Sequence, residues 1–240
     1  MRIVTWNQKQ DSGSSVWPLF FHTLKADIVL LQETLNPEWS GQVLWEKVPH
    51  AFWGSAILTS TGTIRPLKIP GYEGWVVGGE WLDSGLRQSG HPLYIFNIHA
   101  PTGNSNHPRR SFVKEVISIL DIIERLIPGN ANLILGGDFN FLSLGERKAG
   151  EPLATTRSER QALNHLHSKG LVSCWSATHP GRPLEQTLRW AGDRHSDKAT
   201  PFHCDGIFVP ESWTPNMVCE ILTSSIFEIS DHYPVTAWIK

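Results

Sequence analysis

The chain has 240 residues, a formal net charge of −2 and a hydrophobic content of 40%, which is enough for one sizeable core. It contains no apolar run of about 18 residues, and this excludes a membrane-spanning helix. The near-neutral charge disfavours tight, sequence-independent binding to DNA, because such binding depends on a basic face.

The N-terminus and the cysteines both favour a cytoplasmic protein. The segment 1–7 has the pattern of a strand and lacks the charged start and long apolar centre of a signal peptide. The three cysteines, Cys174, Cys204 and Cys219, are odd in number and form no CxxC motif, so we expect buried free thiols in a reducing compartment. No repeat or linker divides residues 1–240, so we predict a single catalytic domain. We also expect the protein to be a monomer.

Short apolar or alternating runs predict the strands, and each run is bounded by polar, Gly or Pro residues. In chain order, the predicted strands are Ile3–Trp6, Ile28–Gln32, Ala56–Thr59, Leu93–Ile98, Leu133–Leu135, Ile207–Val209, Val218–Leu222 and Val235–Ile239.

Apolar residues at three- and four-residue steps predict a helix over Arg109–Ile127, which Pro128-Gly129 ends. A second helix is predicted over Ser158–Lys169, with Ser158 as its cap, and a weaker one over Trp17–Lys25. The segments Gly145–Thr156 and Ala191–Pro201 are predicted to be long loops.

Polar side chains stand at the ends of several predicted strands. The sequence Gly136-Gly137-Asp138-Phe139-Asn140 follows a buried strand that is expected to stop at the glycines, and Ser230-Asp231-His232 precedes the last strand. Strands that converge at one edge would bring these groups into a single cleft. Further polar residues occupy comparable positions: Asn7, Glu33, His99 and Asp205.

Each of these residues also has an ordinary structural explanation. Asn7 and the Asp205-Gly206 pair fit turns, Glu33 fits a cap of a following helix or turn, and His99 fits a buried core histidine. Their joint occurrence favours a shared site, since a carboxylate beside an imidazole and a second carboxylate near an amide suit metal-assisted hydrolysis of a phosphate ester.

The chain resembles the endonuclease/exonuclease/phosphatase superfamily, whose members include deoxyribonuclease I. The matching segments follow the family order almost end to end: Thr5-Trp6-Asn7, Leu31-Gln32-Glu33-Thr34, Gly54-Ser55-Ala56-Ile57-Leu58, Asn97-Ile98-His99, Gly136-Gly137-Asp138-Phe139-Asn140, Cys204-Asp205-Gly206-Ile207 and Ser230-Asp231-His232-Tyr233-Pro234. The resemblance implies an α/β (α+β) fold, a four-layer sandwich in which two packed, mainly antiparallel β-sheets are flanked by helices.

The resemblance also implies a divalent metal, Mg²⁺ or Mn²⁺, and a role for each matched residue. Glu33, Asn7 and Asp231 match the metal end of the family site. Asp138 matches the aspartate that orients or deprotonates the attacking water, and Asn140 the amide that holds a phosphate oxygen. His232 and His99 match histidines that contact the scissile phosphate, and Asp205 an aspartate that orients a cleft histidine.

The substrate is less clearly indicated than the reaction. The segment that begins at His99 and the end of the chain are close to the deoxyribonuclease I branch, which favours a nuclease acting on DNA or RNA. Arg109, Thr187, Arg189 and Trp190 are candidate substrate contacts, and Trp190 also fits a packed core position. Two alternatives stay open: a phosphatase for a small phosphorylated molecule or lipid head group, and a non-catalytic binding module, which is disfavoured because no expected catalytic side chain is missing.

Overall fold

The computed structural model describes residues 1–10, 14–83, 90–101, 108–141, 143–145, 155–190 and 200–240. Its strands are β1 (Arg2–Asn7), β2 (Ile28–Thr34), β3 (Gln42–Lys47), β4 (Gly54–Thr59), β5 (Ile64–Pro66), β6 (Val76–Trp81), β7 (Leu93–His99), β8 (Asn132–Asp138), β9 (Leu171–Ser173), β10 (Leu188–Trp190), β11 (Thr200–Phe202), β12 (Asp205–Pro210), β13 (Met217–Ile221) and β14 (Val235–Ile239). The helices are α1 (Pro18–His22), α2 (Pro108–Leu126), α3 (Arg157–Ser168) and α4 (Cys174–Thr178), with 3₁₀ turns at Glu211–Asn216 and Ser225–Phe227.

Two six-stranded sheets carry the fold. The first has the order β13-β14-β1-β2-β4-β3, and the second the order β5-β6-β7-β8-β12-β9. Each sheet has one parallel pair, β1 with β2 and β7 with β8, and its other pairs are antiparallel. Strands β10 and β11 form a separate antiparallel ribbon. The prediction of mainly antiparallel sheets is therefore confirmed.

Period-two alternation of side chains separates three hydrophobic layers. Between the sheets, alternate residues of the central strands form a common core, which includes Ile3, Leu30, Ile57, Ile95, Ile134 and Ile207. On the outer face of the first sheet, Val4 and Leu31 pack with Phe20 and Phe21 of α1. On the outer face of the second sheet, apolar residues of α2 and α3 pack on Phe96 and Leu135, among others. The result is the four-layer sandwich that the resemblance implied.

The sequence prediction for β8 needs one correction. The strand does not stop at the glycines but continues through Gly136 and Gly137 to Asp138. Gly137 has φ +144°, and a Cβ atom there would overlap the carbonyl oxygen of Ile98 on the neighbouring strand β7. A Cβ on Gly136 would likewise meet the Leu30 side chain of the opposite sheet. The glycines are thus required for close strand and sheet approach, rather than for ending the strand.

Several other boundaries also differ from prediction. The N-cap of α3 is Thr156, not Ser158, and it forms a reciprocal capping box with Glu159. Helix α1 is shorter than predicted, because its cap is already at Thr23. Strands β3, β5, β6, β9, β10 and β11 were not predicted; β6 contains Gly78-Gly79, which lowers its strand signal. Pro201, assigned to a loop, lies in β11, while 146–154 and 191–199 lie outside the described residues.

Two predictions from composition can be checked in the structure. The cysteines Cys174, Cys204 and Cys219 are free and buried, as expected. Across the ranges that the structure describes, none of the helices combines the length and the apolar character needed to cross a membrane.

Candidate active site

The alternation that fills the core also delivers polar groups to one rim of the sandwich. Along β1, Ile3 faces the inter-sheet core, so Asn7, four residues on, lies on the same face at the end of the strand. The same reasoning places His99 at the end of β7 and Asp138 at the end of β8. These two residues are register partners, and Asp205 at the start of β12 pairs with Asp138 from the other side.

Asp205 and His232 form the most tightly defined pair in the site. His232 Nδ1 lies 3.0 and 2.9 Å from the two carboxylate oxygens of Asp205, and the opposite nitrogen, Nε2, lies 3.8 Å from Asp138 Oδ2. Burial opposes the charged form of His232, but the carboxylates of Asp205 and Asp138 outweigh it and raise its pKa to about 10. At neutral pH His232 is therefore an imidazolium that presents Nε2–H to the cleft.

Backbone and side-chain hydrogen bonds hold both partners of this pair. The Trp6 indole donates to the His232 carbonyl at 2.9 Å, and the Ser230 hydroxyl accepts from the His232 amide at 3.1 Å. Thr187 Oγ1 accepts from the backbone amides of Cys204 and Asp205 at 3.0 and 3.1 Å. Four residues that are distant in sequence therefore determine the position of the imidazole: Trp6, Thr187, Asp205 and Ser230.

Asp138 lies at the centre of the site. Its Oδ2 accepts a hydrogen bond from Asn7 Nδ2 at 3.0 Å, and its Oδ1 accepts from the backbone amide of Asn140 at 2.9 Å. Burial raises the pKa of Asp138, the nearby charge of Asp205 adds to this rise, and His232 opposes it. A carboxylate of raised basicity suits a group that accepts a proton.

Glu33 is placed by an irregularity in β2. The pairing with β4 shifts register between Leu31 and Thr34, and Glu33 has φ +51°, so its side chain leaves the regular alternation. Its Oε1 lies 3.3 Å from Asn7 Nδ2 and 3.8 Å from His99 Nε2. Burial raises its pKa, which the Asn7 hydrogen bond opposes. The structural alternative for Glu33 was a cap on a following helix or turn, and the structure instead places it inside β2.

His99 has a different environment from His232. Its ring contacts Trp53 and Trp75 at centroid distances of 5.4 and 5.1 Å, and its Nδ1 is buried without a hydrogen-bond partner among the described residues. Burial lowers the pKa of His99 to about 4, although Asp138 opposes this effect. His99 is therefore neutral at pH 7. The other ring nitrogen, Nε2, faces the Glu33 carboxylate at 3.8 Å.

Asn140 and Asp231 lie at the edge of the site. Asn140 has φ +56°, and its amide nitrogen donates to the Ala100 carbonyl at 3.0 Å, so the side chain is anchored to the loop after His99. Asp231 forms an ion pair with Lys9 at 2.7 Å, and its charge contributes to raising the pKa of Glu33. Asp231 therefore belongs to the acidic end of the site, together with Glu33.

The predicted substrate contacts have different outcomes. Thr187 has no exposed surface, and its hydroxyl accepts a hydrogen bond from the Asp205 amide. The expectation of a substrate contact is therefore wrong for Thr187, which positions Asp205 instead. Arg109 lies in the first turn of α2, and Arg189 and Trp190 lie in β10. The side chains of these three residues lie outside the described part of the structure, so their roles stay predictions.

The sequence analysis missed residues that support the site from below. Gln32 Nε2 donates to Thr5 Oγ1 and Asn97 Oδ1 at 3.0 and 2.6 Å, and Asn97 Nδ2 donates to the carbonyls of Leu31 and Ala56. This buried network joins both sheets directly under Asn7 and His99. An amide in the middle of the apolar β7 run was the signal that could have identified it. Trp53 and Trp75 had no comparable signal, because tryptophans are common in this chain.

Two groups of side chains in the site differ in their ability to hold a metal. Asp138, Cys204, Asp205 and His232 lie close together, but both oxygens of Asp205 face His232, and burial raises the pKa of Cys204 well above its ordinary value, which keeps the thiol protonated. A protonated thiol is not a metal ligand. The acidic end of the site, with the carboxylates of Glu33 and Asp231 and the amide oxygen of Asn7, offers oxygen ligands of the type that Mg²⁺ and Mn²⁺ prefer.

Comparisons with known proteins were made by sequence and by structure, and the sequence comparisons find one distant relative. No protein-family model matches the chain. A curated relative from Xenopus laevis, "Transposon TX1 uncharacterized 149 kDa protein", is 26% identical over 152 residues, which is 62% of this chain and 11% of the relative. The chain therefore spans about a tenth of the length of that protein.

Solved structures match over the entire chain at low sequence identity. An AP endonuclease from Archaeoglobus fulgidus has a TM-score of 0.74 and 13% identity, covering 100% of this chain and 99% of the other. The endonuclease domain of TRAS1, a telomere-specific non-LTR retrotransposon, has a TM-score of 0.65 and 15% identity, covering 100% and 97%. The chain therefore has the same fold as these structures, the deoxyribonuclease I-like fold.

Proposed function

We propose that this protein is a divalent-metal-dependent hydrolase of phosphate esters, and that its substrate is nucleic acid. The observation that carries the proposal is the meeting of Asp205–His232 with Asp138 at one rim, beside the carboxylate and amide of Glu33 and Asn7. The charged imidazole, the basic carboxylate and the acidic ligand set are the three components that hydrolysis of a phosphodiester needs.

The residues at the acidic end fit a cation. Burial raises the pKa of Glu33, and the charges of Asp138 and Asp231 add to this rise, so several carboxylates share one part of the site. The Asn7 amide nitrogen donates to both Glu33 and Asp138, while its oxygen accepts from the Lys9 amide. Glu33 and Asp231 would hold the ion through their carboxylate oxygens, with the amide oxygen of Asn7 beside them, and Asp138 is kept for the attacking water. A divalent cation bound there would neutralise charge on the phosphate and lower the pKa of a water molecule. Mg²⁺ or Mn²⁺ is the proposed ion, because the donors are oxygens.

The remaining residues have two roles: one accepts the proton of the water, and others donate hydrogen bonds to the phosphate. Asp138 orients the attacking water and accepts its proton, which its raised pKa favours. His232 donates Nε2–H to an oxygen of the scissile phosphate, and Asp205 stabilises the imidazolium. His99 donates as a neutral ring, and the Asn140 side chain contributes an amide at the same rim. Donors arranged in advance stabilise the charge that develops on the phosphate oxygens.

The choice of nucleic acid rests on the similar proteins and on the branch to which the sequence is close. The similar proteins include an AP endonuclease, the endonuclease domain of a retrotransposon and a transposon protein. We further propose that residues 1–240 act as one catalytic domain, as a monomer in the cytoplasm. A phosphatase acting on a small phosphorylated molecule is the competing function.

A substrate panel tests the proposal. Plasmid DNA, single-stranded DNA, RNA, phosphoinositides and sphingomyelin are incubated with the full chain and Mn²⁺, and with the metal replaced by excess chelator. We expect cleavage of at least one nucleic acid, loss of activity with chelator and recovery when Mg²⁺ or Mn²⁺ is restored. Undiminished cleavage in chelator would remove the metal from the reaction. Hydrolysis of only the phosphoinositides or sphingomyelin would establish the competing function.

A further inference from the structure

A second cavity lies between helices α3 and α4 and the segment 181–184, and it shares no residue with the candidate active site. Its volume is about 400 Å³, which is within the range of pockets that hold small ligands. Leu144 forms one wall and packs against Gly206, the residue after Asp205. The cavity is thus separate from the cleft but adjoins the strand that carries Asp205.

Two arginines and two histidines line the cavity, on a protein whose formal net charge is −2. Arg160 and His167 project from one face of α3, and His179 and Arg182 lie opposite them. No Asp or Glu is among the described residues that line it. Within the ranges that the structure covers, neither Arg160 nor Arg182 has an acidic partner. Two guanidinium groups without counter-charges favour an anionic ligand.

Neutral donors and an aromatic ring complete the lining. Trp175 stacks on His179 with a centroid distance of 3.8 Å, and both residues line the cavity. Asn164 and Ser176 add amide and hydroxyl groups.

We propose that this cavity binds a phosphorylated ligand of nucleotide size, with its phosphate held by Arg160 and Arg182. The ligand is either a free nucleotide or the phosphorylated end of a nucleic-acid strand, since both present the same group. Guanidinium groups match phosphate in charge and in planar, two-point geometry. The site is independent of the proposed hydrolysis, because it uses none of the residues assigned to that reaction.

Calorimetric titration of the full chain with adenosine monophosphate, in excess chelator, tests this site. The double variant Arg160→Gln/Arg182→Gln should weaken binding by about tenfold or more, as expected for losing charge-assisted hydrogen bonds. The matched control is Arg157→Gln, on the same helix but outside the cavity lining, and it should leave the affinity unchanged. Adenosine, which lacks the phosphate, should bind far more weakly than the monophosphate.

The proposal is overturned if the wild-type chain does not bind the monophosphate, if Arg157→Gln weakens binding as much as the double variant, or if adenosine binds equally well. Displacement of the monophosphate by a 5′-phosphorylated oligonucleotide, but not by its unphosphorylated form, would support a strand end as the ligand. Failure of both to displace it would support a free nucleotide. Phosphate-dependent binding in a chain that hydrolyses nothing would refute the proposed function and leave this site standing.

Discussion

At the scale of single residues, the two histidines of the site differ in charge because their neighbours differ. His232 has two carboxylates within 4 Å and is charged at neutral pH, whereas His99 has aromatic neighbours and is neutral. The sequence identified both residues but not this division. Aspartates and tryptophans reach them from other strands and turns, which local sequence does not reveal.

Replacing Asp205 tests the role of the pair that it forms with His232. Asp205→Asn keeps the size of the side chain but removes the charge that stabilises the imidazolium, and we expect the rate of phosphodiester cleavage to fall by about two to four orders of magnitude. The measurement is a single-turnover rate with Mn²⁺. Asp121→Asn, the same exchange on α2 at a half-exposed position, is the control and should retain the wild-type rate. A variant at position 205 that keeps most of its rate would contradict the assignment.

Thr187 gives a second prediction at this scale, because the structure assigns it a position rather than a contact. Thr187→Val leaves the buried amides of Cys204 and Asp205 without an acceptor, so we expect a loss of about 1–3 kcal/mol in the free energy of unfolding and a lower kcat. Thr187→Ser retains the hydroxyl and should restore most of both. A variant that changes only KM, with unaltered stability, would instead indicate substrate contact.

At the scale of elements, β8 shows how a glycine allows a strand to continue to the residue that lies in the site. Gly137 occupies a backbone conformation with φ +144° that only glycine adopts without strain, and it lies directly before Asp138. The apolar run Leu133–Leu135 predicted the strand correctly. The continuation to Asp138 was missed, because glycines in sequence favour a break and only the closeness of β7 explains them here.

Gly137→Ala tests this explanation. The added methyl group would overlap the Ile98 carbonyl oxygen, and we expect destabilisation by about 2 kcal/mol or more in denaturant unfolding, together with a reduced cleavage rate because Asp138 is displaced. Gly129→Ala is the matched control, since a Cβ atom there meets nothing within 4 Å. Equal stability of the two variants would show that the backbone at Gly137 is not constrained.

At the scale of the whole molecule, the site exists because two sheets of similar order meet face to face. Each has its one parallel pair near the centre, and those pairs, β1–β2 and β7–β8, carry Asn7, Glu33, His99 and Asp138. The Gln32–Asn97 hydrogen bond joins the two sheets below the rim. Because these residues join both sheets, removing a bound metal or one of its ligands should change the Tm of the entire fold.

Glu33→Gln is predicted to separate stability from metal binding. In chelator the variant should have a higher Tm than the wild type, because it removes a buried carboxylate whose pKa burial raises. Mn²⁺ at about ten times its dissociation constant should stabilise the wild type by about 1.4 kcal/mol and the variant far less. The measurement is thermal unfolding at several Mn²⁺ concentrations. Equal metal-dependent shifts in both proteins would exclude Glu33 as a ligand.

The sequence by itself determined most of the strands and the polar residues at their ends, because alternation and strand punctuation are local properties that a single chain displays. The layered fold followed from the resemblance, since the order of the matching segments can also be read along the chain. The tertiary structure decided which groups face each other: Asp205 with His232, Asn7 with Asp138, and tryptophans with His99. It also reassigned Thr187 and revealed the cationic cavity beside α3. These features depend on distances between segments far apart in the chain, and such distances are set only when the sheets pack.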